Sequence, residues 1–176
     1  MFNQFLVILC ISSYFKVISS DVKFIATTRQ FNPKFVSNFT TSIEKEPNGL
    51  NVDITLIQPI IIDFYAFVDV QIRLRDSKIY QSLFTEEFDV CELVNNVLIN
   101  NLMKRWYRNL VKYGNFMENC PVPEGYYYLR GLVVEHSSLA MYLRPGDYRI
   151  SGHGYFKRAD LNETVVKATL DVKWSK

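Results

Sequence analysis

The chain has 176 residues, 48% hydrophobic and 15% aromatic, with 20 basic against 18 acidic side chains and a net charge of +2. That length and apolar content suit one globular domain and exclude intrinsic disorder, and 7 Gly with 6 Pro exclude collagen-like or linker composition. The near-even charge lacks the basic excess of a nucleic-acid binder, and two His with three Cys leave little material for a metal centre, so neither nucleic acid nor metal is expected.

Phe5 to Phe15 reads FLVILCISSYF, an apolar run of signal-peptide length that is too short to span a bilayer as a helix. Small residues follow in Val17-Ile18-Ser19-Ser20 and suit cleavage there. Residues 1–20 are therefore expected to be a signal peptide, and 21–176 a single secreted domain. No Lys or Arg precedes the run, so a buried strand or short anchor helix is the other reading. No later window holds 18 apolar residues, and stable membrane insertion is not expected.

Beyond Asp21 the hydrophobic period is two. Val22 to Phe31 and Phe35 to Ile43 form a first pair of strands. Val52, Ile54 and Leu56 alternate with Asp53 and Thr55 in a third. The clearest strand is Ile62 to Leu74: Ile62, Phe64, Ala66, Val68, Val70, Ile72 and Leu74 share one face, against Asp63, Asp69, Gln71 and Arg73 on the other. Tyr65 and Phe67 stand on that second face. Tyr80 to Val90, Tyr126 to Glu135, Asp147 to Lys157 and Val166 to Trp174 complete about eight strands, which suggests a two-sheet antiparallel sandwich.

Leu93 to Tyr113 breaks the pattern. Val94, Val97, Leu98, Leu102, Trp106, Leu110 and Tyr113 recur at steps of three and four, and Asn95, Asn96, Asn100, Lys104, Arg108 and Lys112 lie opposite. This predicts one amphipathic helix over about 92–113. Asp89 and Glu92 have capping-box spacing at its start, and Gly114 suits a left-handed stop.

Removal of residues 1–20 takes Cys10 and leaves Cys91 and Cys120, an even count that reads as a disulfide in a secreted chain. A pair of free thiols is the alternative if the signal peptide is not one. Closing the 28 residues between them would contribute roughly 3–4 kcal/mol on the chain-entropy argument. Asn38-Phe39-Thr40 and Asn162-Glu163-Thr164 are sequons, so Asn38 and Asn162 are candidate glycosylation sites.

Catalytic constellations are missing. There is no HExxH, no GxSxG and no Gly-rich loop opening a helix. His136 and His153 are the sole imidazoles, and Gly152-His153-Gly154 sits in a strand-like stretch where a hydrogen-bonded structural histidine is the simpler reading. Asp53, Asp63 and Asp69 read as solvated outer residues. No enzymatic role, catalytic residue or cofactor is expected. What the chain does supply is 22 aromatic residues after position 20, enough either to fill a sandwich solid or to line an apolar cavity. Gly152 and Gly154 remove side chains from one strand face, at a bulge, at a close backbone approach or where a ligand tail lies.

Three stretches carry a resemblance: Phe88-Asp89-Val90-Cys91-Glu92-Leu93, Cys120-Pro121 with Tyr126-Tyr127-Tyr128-Leu129-Arg130-Gly131-Leu132, and Arg144-Pro145-Gly146-Asp147-Tyr148-Arg149-Ile150. Over about residues 50 to 174 the chain resembles a family of small secreted proteins of flies, long filed as a domain of unknown function, that includes the CheB-type chemosensory proteins. That family is similar to the ML lipid-recognition superfamily, which includes the ganglioside-activator protein. The resemblance implies a β-sandwich or β-cup with a helix near one edge and an apolar interior. It further implies extracellular binding of a lipid or other hydrophobic small molecule, in some members for pheromone or taste perception through a chemosensory receptor. One departure is that many lipid-recognition domains carry more disulfides than the single one this chain can form.

No family motif fixes the ligand contacts, so candidate pocket walls come from alternation alone: Phe64, Val68, Phe84, Phe88, Trp106, Tyr148, Phe156 and Leu170. Each could equally be plain core. The competing function is an extracellular interaction module with a solid core, its contact surface marked by Tyr65 and Phe67.

Overall fold

The structure is a computed structural model that describes residues 21–61, 63–74, 77–95, 102–116, 118–133, 144–158 and 161–175. Residues 1–20, expected to be a signal peptide, lie outside the described residues, as do Ile62 and His136. Eight strands form: β1 (Asp21–Phe31), β2 (Val36–Ile43), β3 (Leu50–Leu56), β4 (Phe64–Arg73), β5 (Gln81–Asp89), β6 (Gly125–Leu132), β7 (Gly146–Phe156) and β8 (Glu163–Ser175). They make two antiparallel sheets, one in the order β1-β8-β7-β4-β5 and one in the order β2-β3-β6. The fold is mainly β, as the period-2 pattern requires.

The sheets differ in width. Five strands span four interstrand spacings, about 19 Å, and three span two, about 10 Å. The narrow sheet cannot cover the inner face of the wide one. The sheets meet along the β1 and β2 edges, where side chains make the join. Thr27 and Thr41 share a hydroxyl hydrogen bond of 2.7 Å, Arg29 Nε donates to the Phe39 carbonyl at 2.5 Å, and Asn48 both accepts from the Phe24 amide (2.6 Å) and donates to its carbonyl (3.2 Å). Asn48 thereby satisfies backbone groups beside the bulge that interrupts β1 between Phe24 and Ala26.

The opposite side is crossed by the helical connection from β5 to β6. Here the single helix of 92–113 is corrected. Helix α1 covers Val90–Asn95, helix α2 covers Leu102–Leu110, and a 3-10 turn follows over Val111–Tyr113; residues 96–101 lie outside the described residues. The Asp89 carboxylate accepts from the Glu92 amide at 2.9 Å, so the cap predicted from spacing is present. A continuous helix would place Leu93 and Lys104 about 16 Å apart along its axis. Instead the Lys104 ammonium donates to the carbonyls of Leu93 and, at 2.9 Å, Val94, so one continuous helix cannot hold both ends. Lys104, read as part of a polar helix face, is buried: the open carbonyls at the end of α1 attract it. Burial, reinforced by Arg108, pulls its pKa below the usual lysine value.

Gly114 is also corrected. Its φ of 177° is extended rather than left-handed. Glycine is required there because a Cβ would lie 1.8 Å from the Tyr128 carbonyl oxygen, where the chain bridges to Leu129 of β6. Cys91 at the start of α1 and Cys120 before β6 form a disulfide with Cα atoms 5.2 Å apart. Asp63 is a turn residue with φ 64°, a conformation that Asp tolerates, and β4 starts after it. Leu74, assigned to the inner face, is 55% exposed beyond the end of β4.

The outer faces carry ion pairs. Asp53 of β3 accepts from the Arg130 guanidinium and the Tyr126 hydroxyl of β6, and these contacts, Arg130 foremost, hold its carboxyl below the usual range. Glu87 of β5 accepts from Tyr155 at 2.6 Å and Lys157 at 3.2 Å and is lowered in the same order of causes.

Two outcomes follow. Both carboxylates titrate lower in the folded chain, so their stabilisation is present above the unfolded value of about 4 and is lost as pH falls through the folded values. Urea unfolding across an acid series should show stability declining in that window, with a flatter decline for Asp53→Asn. Phe156 is buried with ring centroids 5.3 Å from both Phe35 and Phe64. Phe156→Ala should lower the unfolding free energy by about 3–5 kcal/mol in the same assay.

Candidate functional site: the inner face of the wide sheet

Pairing registers define the inner face. On β4 it consists of Phe64, Ala66, Val68, Val70 and Ile72. Opposite them on β7 stand Phe156, Gly154, Gly152, Ile150 and Tyr148. Val166, Ala168, Leu170 and Val172 continue these rows on β8, and Phe88, Glu86 and Phe84 continue them on β5. Across β4, β7 and β8 these rows are built of apolar residues or glycine, and polar side chains enter at the two edges, Glu86 on β5 and Thr27 and Arg29 on β1.

Packing gathers this face into two clusters rather than one. At one end Phe64, Phe156 and Val165 pack with Val36, Phe39, Ile54, Leu56 and Tyr127 of the narrow sheet, and with Val90 of α1. At the other end Phe24, Val70, Ile72, Tyr148, Val172 and Trp174 pack around Leu50. Val52 adjoins both. Between them the inner face is less completely covered: Ala66, Val68, Ile150, Val166, Ala168 and Leu170 are half-buried, as are Phe84 and Phe88 toward the free edge of β5.

The two glycines of β7 separate cleanly. A Cβ at Gly154 would meet the Phe64 ring at 2.9 Å and Val166 at 3.1 Å, so that position is closed by packing. A Cβ at Gly152, two residues along the same face, would have nothing within 4 Å. Gly152 stands between Val68 and Ala168 and faces open space, with only small or half-buried neighbours in its row.

The eight candidate wall residues divide accordingly. Phe64, Phe88 and Phe156 belong to or border the first cluster; Val68, Phe84, Tyr148 and Leu170 belong to or border the second. Phe64, Tyr148 and Phe156 are buried, whereas Val68, Phe84, Phe88 and Leu170 are half-buried and nearer the open stretch. Trp106 is on α2, with its side chain outside the described residues. The wall residues taken from alternation leave out Gly152 and Ala168, whose small size leaves the space. The glycine pair was the available signal. Glu86, on the same face between the two phenylalanines, is exposed at the sheet edge and gives the rim a carboxylate.

The outer face of the wide sheet is differently occupied. Tyr65 and Phe67 point outward as read, but both are half-buried: Tyr65 stacks on Tyr155 at 6.3 Å and lies under Lys157 at 4.6 Å. Burial first, then the Glu87 hydrogen bond, pushes the Tyr155 phenol up to about 12. His153 bonds Thr164 Oγ1 at 2.9 Å and packs against Tyr155, and burial lowers its pKa. Among the described residues no three His, Cys, Asp or Glu side chains are grouped to hold a metal, and no helix is long and apolar enough to cross a membrane.

Comparison with known proteins gives three findings. No curated protein matches the chain. The crystal structure of chicken MD-1 complexed with lipid IVa is similar over 88% of this chain and 98% of that one, with 15% identity and a TM-score of 0.43. Residues 68–150 match a family described as a protein of unknown function (DUF1091), a span that runs from the open stretch of β4 through both cysteines to the inner face of β7.

Proposed function

We propose that the protein is a secreted, non-enzymatic binder of a lipid or other hydrophobic small molecule, held between the sheets against the inner face of the wide one. The observation that carries this is the half-covered apolar stretch around Gly152. Two well-packed clusters close the ends of the sandwich, yet the rows between them stay half-buried and a strand glycine faces empty space. Apolar ligand surface leaving water there would contribute roughly 25 cal/mol per Å² before ordering costs. The exposed Glu86 at the rim suits a ligand whose polar end stays near solvent.

Secretion is supported by the apolar leader and by the Cys91–Cys120 disulfide, a bond that persists in oxidising compartments. The resemblance to fly chemosensory proteins makes pheromone-like hydrocarbons and their esters the first ligands to test, and a chemosensory receptor the first partner. The solid-core module gains little support from Tyr65 and Phe67, because the Tyr65 ring is taken up by Tyr155 and Lys157 and Phe67 is half-buried.

Protein secreted from cultured eukaryotic cells should carry a stoichiometric apolar molecule, seen as a difference between native and denatured mass and identified after extraction. A clean apo mass that persists after incubation with fatty acids, glycolipids and long-chain hydrocarbons would end the proposal. Gly152→Leu gives a sharper check, since it fills the open space on a strand where leucine is tolerated better than glycine. Affinity should drop at least tenfold, about 1.4 kcal/mol, with the thermal midpoint unchanged or raised. Undiminished binding would place the ligand elsewhere.

A further inference from the structure

The outer face of the narrow sheet carries a sequon and an aromatic platform in register. Asn38 of β2 pairs with Thr55 of β3, and Thr55 pairs with Tyr126 of β6, so the three side chains form one transverse row. Asn38 and Tyr126 are two interstrand spacings apart, about 10 Å. Asn38 is exposed, while Phe39, the middle residue of the sequon, points the other way into the core. Sugar attached at Asn38 therefore leaves the chain from this face.

Tyr126 is built to be stacked upon. It is 49% exposed, an unusual state for a large ring on a strand. One side of it stacks on Tyr128, with centroids 5.9 Å apart and planes 25° apart, and the Arg130 guanidinium lies over Tyr128 at 5.2 Å. The Tyr126 hydroxyl is fixed between Asp53, to which it donates, and Arg130, which donates to it at 2.7 Å. The ring is thus held in place at low further entropic cost, with the rest of its surface open.

We propose that Asn38 is glycosylated and that the first sugars of its glycan pack on the open surface of Tyr126, making the outer face of the narrow sheet a carbohydrate-covered surface. The shared chemistry is stacking of sugar C–H groups on a tyrosine ring, beside the polar Thr55 and Asp53. This site is separate from the inner face, and it depends on secretion alone, so it stands or falls independently of ligand binding.

The test is a double-mutant cycle between Asn38→Gln and Tyr126→Ser, read as thermal midpoints. It is run on protein secreted from eukaryotic cells and on unglycosylated protein from a bacterial periplasm. Asn38 occupancy is measured by peptide mass spectrometry. The glycosylated series should show Asn38 occupied and its loss costing about 2–4 °C, an effect removed in the Tyr126→Ser background. The bacterial series should show no coupling, because the bare side chains are two strands apart. Tyr126→Phe, which keeps the ring and loses the hydroxyl, should retain most of the coupling and so separates stacking from the Asp53–Arg130 network. An unoccupied Asn38, or an occupied one without coupling, overturns the proposal. If the unglycosylated chain instead binds added diacetylchitobiose in a Tyr126-dependent way and the cycle shows no coupling, the platform serves a partner's sugar and this assignment is equally overturned.

Discussion

A five-stranded sheet facing a three-stranded one leaves about two strand widths of apolar surface without a partner. Much of the remaining architecture answers that mismatch. The first sheet edge is joined by Thr27, Arg29 and Asn48, which hold β1 against the narrow sheet. The chain then bridges the far side with α1 and α2 instead of another strand. Val90 and Leu93 of α1 enter the core, the Cys91–Cys120 disulfide pins the start of that helix, and Lys104 closes its end. What these devices leave is the half-covered middle, where Gly152 sits.

The same constraint accounts for the division of the core. A sandwich of equal sheets can interdigitate along its full length. Here bulky residues collect where the narrow sheet or a helix can reach them, around Phe64 and Phe156 at one end and Tyr148 and Trp174 at the other. Smaller residues occupy the rows between, with Val68, Gly152 and Ala168 standing side by side across three strands. Filling that space by sequence would need only one larger residue at Gly152, where the backbone places no obstacle.

Sequence made the strands legible where apolar and polar residues alternate, most clearly along β4. Val22–Phe31 and Val166–Trp174 proved to be paired edge to edge, and the long run through Val68 proved to be the fourth strand of the wide sheet. The helical stretch was misread for a physical reason. Its apolar positions keep the 3.6-residue period across two helices, and periodicity alone does not tell two helices from one. Lys104 looked solvated because a lysine in a helical pattern gives no sign that another helix ends beside it. The inner face was readable as a face, but which of its members pack and which border empty space depends on what stands across the gap. Residues like Phe64 and Val68, equivalent in pattern, therefore have different surroundings.

The seam between β1 and β2 has a mechanical meaning. Neighbouring strands within each sheet are joined by backbone ladders, whereas the described polar contacts across this seam include a hydroxyl pair, one guanidinium bond and an asparagine clasp. Contacts of this kind contribute only about 1 kcal/mol each and can lengthen or exchange partners by rotamer changes. Each sheet keeps its own backbone ladder up to this line, so the join is made by side chains and by the two cores that both sheets share. Loss of any one of these side-chain contacts would leave the ladders of both sheets unbroken.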